Sequence, residues 1–271
     1  MSWFEAVVLG VLQGLTEYLP VSSTAHLLIA GKVSGWGDPS AAFTAVTQLG
    51  TMAAVLLYFR GEIWQILRGL VTVLRTRSLA DPEGRLAWLL AIGSLPIMVI
   101  GFLAKDLIEG GARNLYIVAA SLIIVGLVLA IADARGVGRL HLPDLTTRFA
   151  LTLGFGQALA LIPGVSRSGA TIAVALFLGF NRVAATRFSF LLAIPAVLVS
   201  GLYELRKVGD GSLDLGPTLL ATVISFAVGL ACIHWLLKFV ATHTFRWFVV
   251  YRLVLGVAVL GLLATGVVTA A

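Results

Sequence analysis

Charge and cysteine are both scarce in this sequence. Its 271 residues hold 13 acidic and 19 basic side chains, 12% charged in all, against about 25% in an ordinary soluble chain. So small a polar complement cannot cover a soluble globule. That argues against a soluble enzyme and, although the formal net charge is +6, against a nucleic-acid binder. The single cysteine, Cys232, lies in an apolar run, which excludes a disulfide framework and a Cys-based zinc site. The opening residues Met1 to Glu5 lack the basic start and small-residue cleavage site of a signal peptide, and no lipidation signal is recognisable. Apolar residues, by contrast, make up 59% of the chain, with a mean hydropathy of +1.01. The composition is that of a polytopic, all-α integral membrane protein.

Six apolar runs reach or approach spanning length: Phe43–Phe59, Leu86–Ala104, Leu115–Ala132, Thr186–Tyr203, Gly216–Lys238 and Trp247–Val268. A bilayer core takes about 20 helical residues, with roughly 17 as the lower limit. Two further regions are apolar but interrupted. Trp3–Leu19 meets Pro20 and the hydroxyl run Ser22, Ser23, Thr24; Ala150–Ile162 meets Pro163, Gly164, Ser166, Arg167, Ser168 and Gly169. Each predicts a re-entrant helix–break–helix hairpin, because irregular backbone at membrane depth survives only inside protein or beside a wet cavity.

The interrupted regions resemble one another. At a constant offset of 144, Gly10 falls on Gly154, Gln13 on Gln157, Leu15 on Leu159, Val21 on Val165 and Ser22 on Ser166. The order hairpin plus three spans, then hairpin plus three spans, predicts one membrane domain over 1–271 with inverted repeats over 1–132 and 150–271. Paired broken segments in two inverted halves point to a binding site near the midplane. Twelve Lys and Arg group on one side of this topology (the 60–85, 133–149, 181–187 and 238–246 segments), against Lys32, Lys105, Arg113, Arg206 and Lys207 on the other. The positive-inside rule makes the first side cytoplasmic. The amphipathic segment Glu62–Arg77 is then expected on the inner surface. Tyr18 and Trp3, Trp36, Trp64 and Trp88 are expected at the interfaces, and Arg252 is expected to snorkel to one.

Ionisable residues inside a membrane mark function, and here Glu17 and Arg167 fall one in each hairpin. Gln13 and Glu17, at i and i+4, share a helix face and offer oxygen to a hard cation, Mg²⁺ or Ca²⁺. After Pro20, Ser22, Ser23 and Thr24 sit where a new half-helix begins, and free N–H groups there suit an anion. That start carries a potential nucleophile, Ser23, with a potential proton carrier, His26, three residues on. The second break supplies Ser166, Ser168, the amides flanked by Gly164 and Gly169, and Arg167, whose guanidinium fork fits a phosphate bidentately.

The string Gln13-Gly-Leu-Thr-Glu17-Tyr-Leu-Pro-Val-Ser-Ser-Thr-Ala-His26, with Pro163-Gly-Val-Ser166-Arg167-Ser168-Gly-Ala-Thr171, closely resembles the undecaprenyl-diphosphate phosphatase family. These are bacterial membrane enzymes linked to bacitracin resistance, and the resemblance covers essentially the whole chain. It implies hydrolysis of the C55 carrier diphosphate to monophosphate and inorganic phosphate, recycling the carrier for cell-wall synthesis. Gln13 and Glu17 take the two places of the family's (E/Q)xxxE motif, Ser23 and His26 its first-hairpin Ser and His, and Arg167 its phosphate-binding Arg. Gln13 stands where two-carboxylate metal binding would want a second acid, and Ala25 where many members have Gly. The implied setting is the bacterial inner membrane, with the cavity open to the periplasm. The implied partners are the polyprenyl diphosphate and membrane lipids, with a homodimer as one possible assembly.

Two assignments of the attacking group follow: Ser23 with His26 as its base, or His26 directly through a phosphohistidine. A rival class, a secondary transporter or lipid flippase, suits the inverted repeats equally well. It does not require a hydroxyl, an imidazole and an arginine to be paired.

Overall fold

The structure is a computed structural model that describes residues 1–104, 114–136, 138–205 and 214–270. These residues form eleven α-helices: α1 (Trp3–Thr16), α2 (Ser23–Val33), α3 (Ala41–Tyr58), α4 (Arg60–Thr76), α5 (Pro82–Leu103), α6 (Leu115–Arg135), α7 (Thr147–Ala158), α8 (Arg167–Phe177), α9 (Arg182–Leu205), α10 (Leu215–Thr242) and α11 (Arg246–Ala264). Local sequence starts several of them. Ser2 and Glu5 close a capping box on α1, and Asp81 accepts from Gly84 N ahead of Pro82 at the first position of α5.

Five helices, α5, α6, α9, α10 and α11, are long and apolar enough to span a bilayer. The sixth expected span is α3, whose 18 residues lie just above the lower limit; α4 follows it directly, and the pair is bent by 80° at Phe59. The bend follows from composition, since Arg60, Gly61 and Glu62 end the apolar run. Beyond it α4 exposes Trp64, Leu67, Val71 and Leu74 along one stripe. Side chains such as Leu95, Val99 and Phe102 on α5, or Val254 and Val257 on α11, lie outward, as a lipid-facing surface requires. The chain is a multi-pass membrane protein.

Both interrupted regions are broken helices. The first, α1–α2, is interrupted over residues 17–22; in the second, α7 tightens into a 3-10 turn over Leu159–Leu161 before α8 begins. Packing interleaves the two halves of the chain. α1 lies on α10 and α7 lies on α5, while α3 contacts α9 and α10. The equivalent glycines mark the crossings. A Cβ on Gly10 would come within 2.7 Å of the Ala221 carbonyl oxygen, and one on Gly154 would collide with the Gly93 carbonyl oxygen. α9 is the most enclosed of the five long spans and places Phe188, Phe190, Leu191 and Leu192 in the main core.

Contacts between chain segments sort onto two ends of the bundle. The Met1 amine binds Asp214, and Leu115 N donates to Ala270 O. Elsewhere Arg85 reaches Leu145 O, Asp133 binds Arg182 and the Phe245 N–H, and Glu62 binds Arg187. Lys105, Arg113, Arg206 and Lys207, which enter the charge count above, lie outside the described residues.

Candidate active site

The two breaks meet, and Glu17 is the centre of the junction. Glu17 caps the C-terminus of α1, its residue only 8% exposed. Four side chains donate to its carboxylate. Ser23 Oγ reaches Oε2 at 2.7 Å and Gln13 Nε2 reaches the same oxygen at 3.0 Å. Gln48 Nε2 reaches Oε1 at 2.9 Å, and Arg167 Nη2, from the other hairpin, forms an ion pair there. A carboxylate has about four lone-pair sites, so this one is fully engaged. Arg167 makes no other side-chain hydrogen bond among the described residues, which leaves the rest of its fork for a ligand.

The half-helix starts are built alike. Ser22 and Ser166 are the N-caps of α2 and α8, with φ of 73° and 70°. Positive φ is uncommon for non-glycine residues and costs on the order of 1–3 kcal/mol. Each serine hydroxyl accepts from the N–H three residues on, Ala25 N for Ser22 and Gly169 N for Ser166. The first-turn N–H groups of Ser23, Thr24, Arg167 and Ser168 have no backbone partner among the described residues, as helix starts leave them. Ser168 Oγ also donates to Leu19 O, tying one break to the other. Thus Ser22, Ser166 and Ser168 shape the tips with their hydroxyls. Thr24 is half-buried, and Gly164, with φ of 89°, lies where a Cβ would strike the Val118 carbonyl.

His26 is not placed as the sequence led one to expect. Its Nδ1 lies 2.7 Å from Ser22 O and its Nε2 2.7 Å from the Tyr251 hydroxyl. A carbonyl can only accept, so Nδ1 carries the proton and Nε2 accepts from Tyr251. Neither nitrogen bonds Ser23, whose proton points at Glu17 instead. Gln13 keeps one buried amide oxygen, Oε1, without a partner.

Three residues escaped sequence reasoning or were misplaced by it. Gln48 was hidden in an apolar run, although Thr44, Thr47, Gln48 and Thr51 form a polar stripe at helical spacing. Tyr18 is not interfacial; it is buried, and its hydroxyl donates to Thr51 O. Arg252 does not snorkel. It is completely buried and donates to five backbone carbonyls. The signal for it was a charge inside a span, which lipid access cannot explain when the residue faces inward.

The fold and junction define a class: an all-helical membrane protein with a hydroxyl, a carboxylate and a guanidinium held between two broken-helix hairpins. Residues 6–258 match the family described as bacitracin resistance protein BacA, and the chain belongs to that family. It is 48% identical over 273 residues to an undecaprenyl-diphosphatase of Nocardioides sp., covering 100% of both chains. It is 50% identical to undecaprenyl-diphosphatase 2 of Streptomyces coelicolor, over 99% of this chain and 97% of that one. An undecaprenyl-diphosphatase of Mycolicibacterium smegmatis is 51% identical, with both chains fully covered.

Proposed function

We propose that this protein hydrolyses undecaprenyl diphosphate to undecaprenyl phosphate and inorganic phosphate, recycling the carrier lipid and so conferring bacitracin resistance. The relatives' names and the family supply the substrate. The observation that carries the chemistry is the Ser23–Glu17–Arg167 junction, a nucleophile, a proton acceptor and a phosphate ligand in one contact.

In this reading the diphosphate head enters where the hairpin tips meet. The unengaged N–H groups of Arg167 and the first-turn amides of α2 and α8 bind its oxygens. Catalysis of phosphoryl transfer rests mainly on such positioning and electrostatic stabilisation. Ser23 Oγ attacks the terminal phosphorus as its proton passes to Glu17. The bond to the bridging oxygen breaks, and the lipid monophosphate leaves. Water then hydrolyses the phosphoserine, releasing inorganic phosphate and restoring the hydroxyl. His26, with Nε2 able to take a proton once Tyr251 gives way, serves that second step. Ser23 touches the Glu17–Arg167 pair, whereas the hydrogen bonds of His26 go to Ser22 and Tyr251, which favours Ser23 as the attacking group.

A divalent cation, Mg²⁺ or Ca²⁺, belongs to the same reading. Gln13 Oε1, buried and without a partner, would offer such an ion one oxygen, and Glu17 would offer a second only by releasing one of its four donors; the ion would keep water and take its remaining oxygens from phosphate. When bound, it would neutralise phosphoryl charge.

The chain is further read as two inverted halves in the bacterial inner membrane. Met1, Asp214, Leu115 and Ala270 would form the periplasmic end, and Arg85, Asp133, Arg182 and Arg187 the cytoplasmic one. The excess of Lys and Arg at the second end supports this orientation. The test is phosphate release from a polyprenyl diphosphate by pure protein in detergent micelles. Micelles have no two sides, so release supports the phosphatase, and none at all supports a transporter instead.

A further inference from the structure

We propose that Arg252 is a positioning residue that holds the two hairpin tips in register, so that Arg167 of one faces Ser23 and Glu17 of the other. The guanidinium of Arg252, on α11, donates from Nη1 to Pro20 O at 3.1 Å and from Nη2 to Gly164 O at 3.1 Å. Pro20 and Gly164 are separated by 144, the offset that lays Gln13 on Gln157 and Ser22 on Ser166. Each carbonyl lies three residues before a functional residue, Ser23 in one break and Arg167 in the other. One planar group therefore grips equivalent points of both breaks.

The remaining donors fix the guanidinium itself. Nη2 also reaches Val165 O and Ser121 O, and Nε reaches Leu122 O on α6. No carboxylate is among these partners, and the residue has no exposed surface. Burying an unpaired cation is costly unless hydrogen bonds satisfy it. Breaking a helix at membrane depth likewise strands carbonyls that must find donors. Arg252 answers both needs, and the rigid fork lets one side chain do it where a flexible ammonium could not. Its nearest helical neighbour is also engaged, since Tyr251 holds His26 Nε2. α11 thus reaches the junction with two consecutive side chains.

The effect on turnover rests on the phosphatase reading; the effect on geometry does not. The test uses the full chain in detergent with Cys232→Ala and nitroxide labels at Leu15→Cys and Leu159→Cys. These are equivalent, outward-facing positions on the two hairpins. Pulsed electron-electron resonance reads the distance between them, and steady-state kinetics is run on unlabelled protein below each variant's melting temperature.

The protein with Arg252 intact should give one narrow distance. Arg252→Met should broaden or shift it and lower kcat on the order of 10²-fold, the scale of a small misplacement of reacting groups. Arg252→Lys keeps the charge without the fork, and should fall between the two in both measurements. A residue that only stabilises the fold would leave kcat unchanged below the melting point. Unchanged distances in either variant, or a changed distance with unchanged kcat, would overturn the proposal. If Arg252→Met fails to fold, Arg252→Lys carries both measurements alone, and identity with the parent on either would overturn it. If the parent itself releases no phosphate, the phosphatase reading fails while the distance comparison still judges the strut.

Discussion

Ser23 and Glu17 stand on opposite sides of the first chain break, yet the Ser23 hydroxyl donates to the Glu17 carboxylate at 2.7 Å. The same carboxylate holds Arg167 of the second hairpin. A base that already accepts the nucleophile's proton changes the division of labour read from the sequence. On the proposed reading, Glu17 takes the first proton transfer, and His26, held by Ser22 O and Tyr251, is left for the second.

Glu17→Gln keeps the shape of the side chain and removes its basicity. Turnover should fall by about 10²–10⁴-fold, the range for a lost general base. Gln48→Leu removes one neutral donor to the carboxylate and should cost about 10–100-fold. Phosphate-release assays on folded variants check both. An active Glu17→Gln protein would return the role of base to His26.

Arg167→Lys preserves charge but not the fork. A loss on the order of 10²-fold in kcat/KM is expected, as for other lost transition-state donors. Near-normal kinetics in a well-folded variant would remove Arg167 from phosphate binding.

If a hard cation joins Glu17 and Gln13 Oε1, chelation should stop turnover and added Mg²⁺ or Ca²⁺ should restore it. Gln13→Glu should then lower the cation concentration needed for half-maximal rate, because it adds a second carboxylate. Full activity in excess chelator, with no metal by elemental analysis, would exclude the ion.

With Cys232 replaced, cysteines at Arg77 and Arg139 should escape a membrane-impermeant label in intact cells and react with it in inside-out membrane vesicles. One at Ser34, exposed between α2 and α3, should react only from outside. Labelling of positions 34 and 77 from one side would contradict the inverted arrangement.

Much of this molecule is legible in its sequence because lipid imposes long apolar runs, and interruptions in them stand out. All five long spans and both breaks fall where hydropathy puts them. α3 departs because its apolar run is barely long enough and α4 turns away at Arg60. Glu17, Ser23 and Arg167 were visible as polar groups where polar groups are expensive. Their pairing was not, since i and i+3 spacing puts Ser23 beside His26, whereas the break returns Ser23 to Glu17. Arg252 was misjudged for a related reason: its partners are backbone carbonyls, which carry no sequence signature. Gln48 was masked by the apolar average of its helix.

The central claim is that Ser23 attacks phosphorus with Glu17 taking its proton. Acid-quench trapping with substrate labelled at the terminal phosphate tests it most directly. An acid-stable, base-labile phosphate on residue 23, absent from Ser23→Ala and sharply reduced in Glu17→Gln, is the predicted result. An acid-labile, base-stable phosphate on His26 that still forms in Ser23→Ala would contradict it.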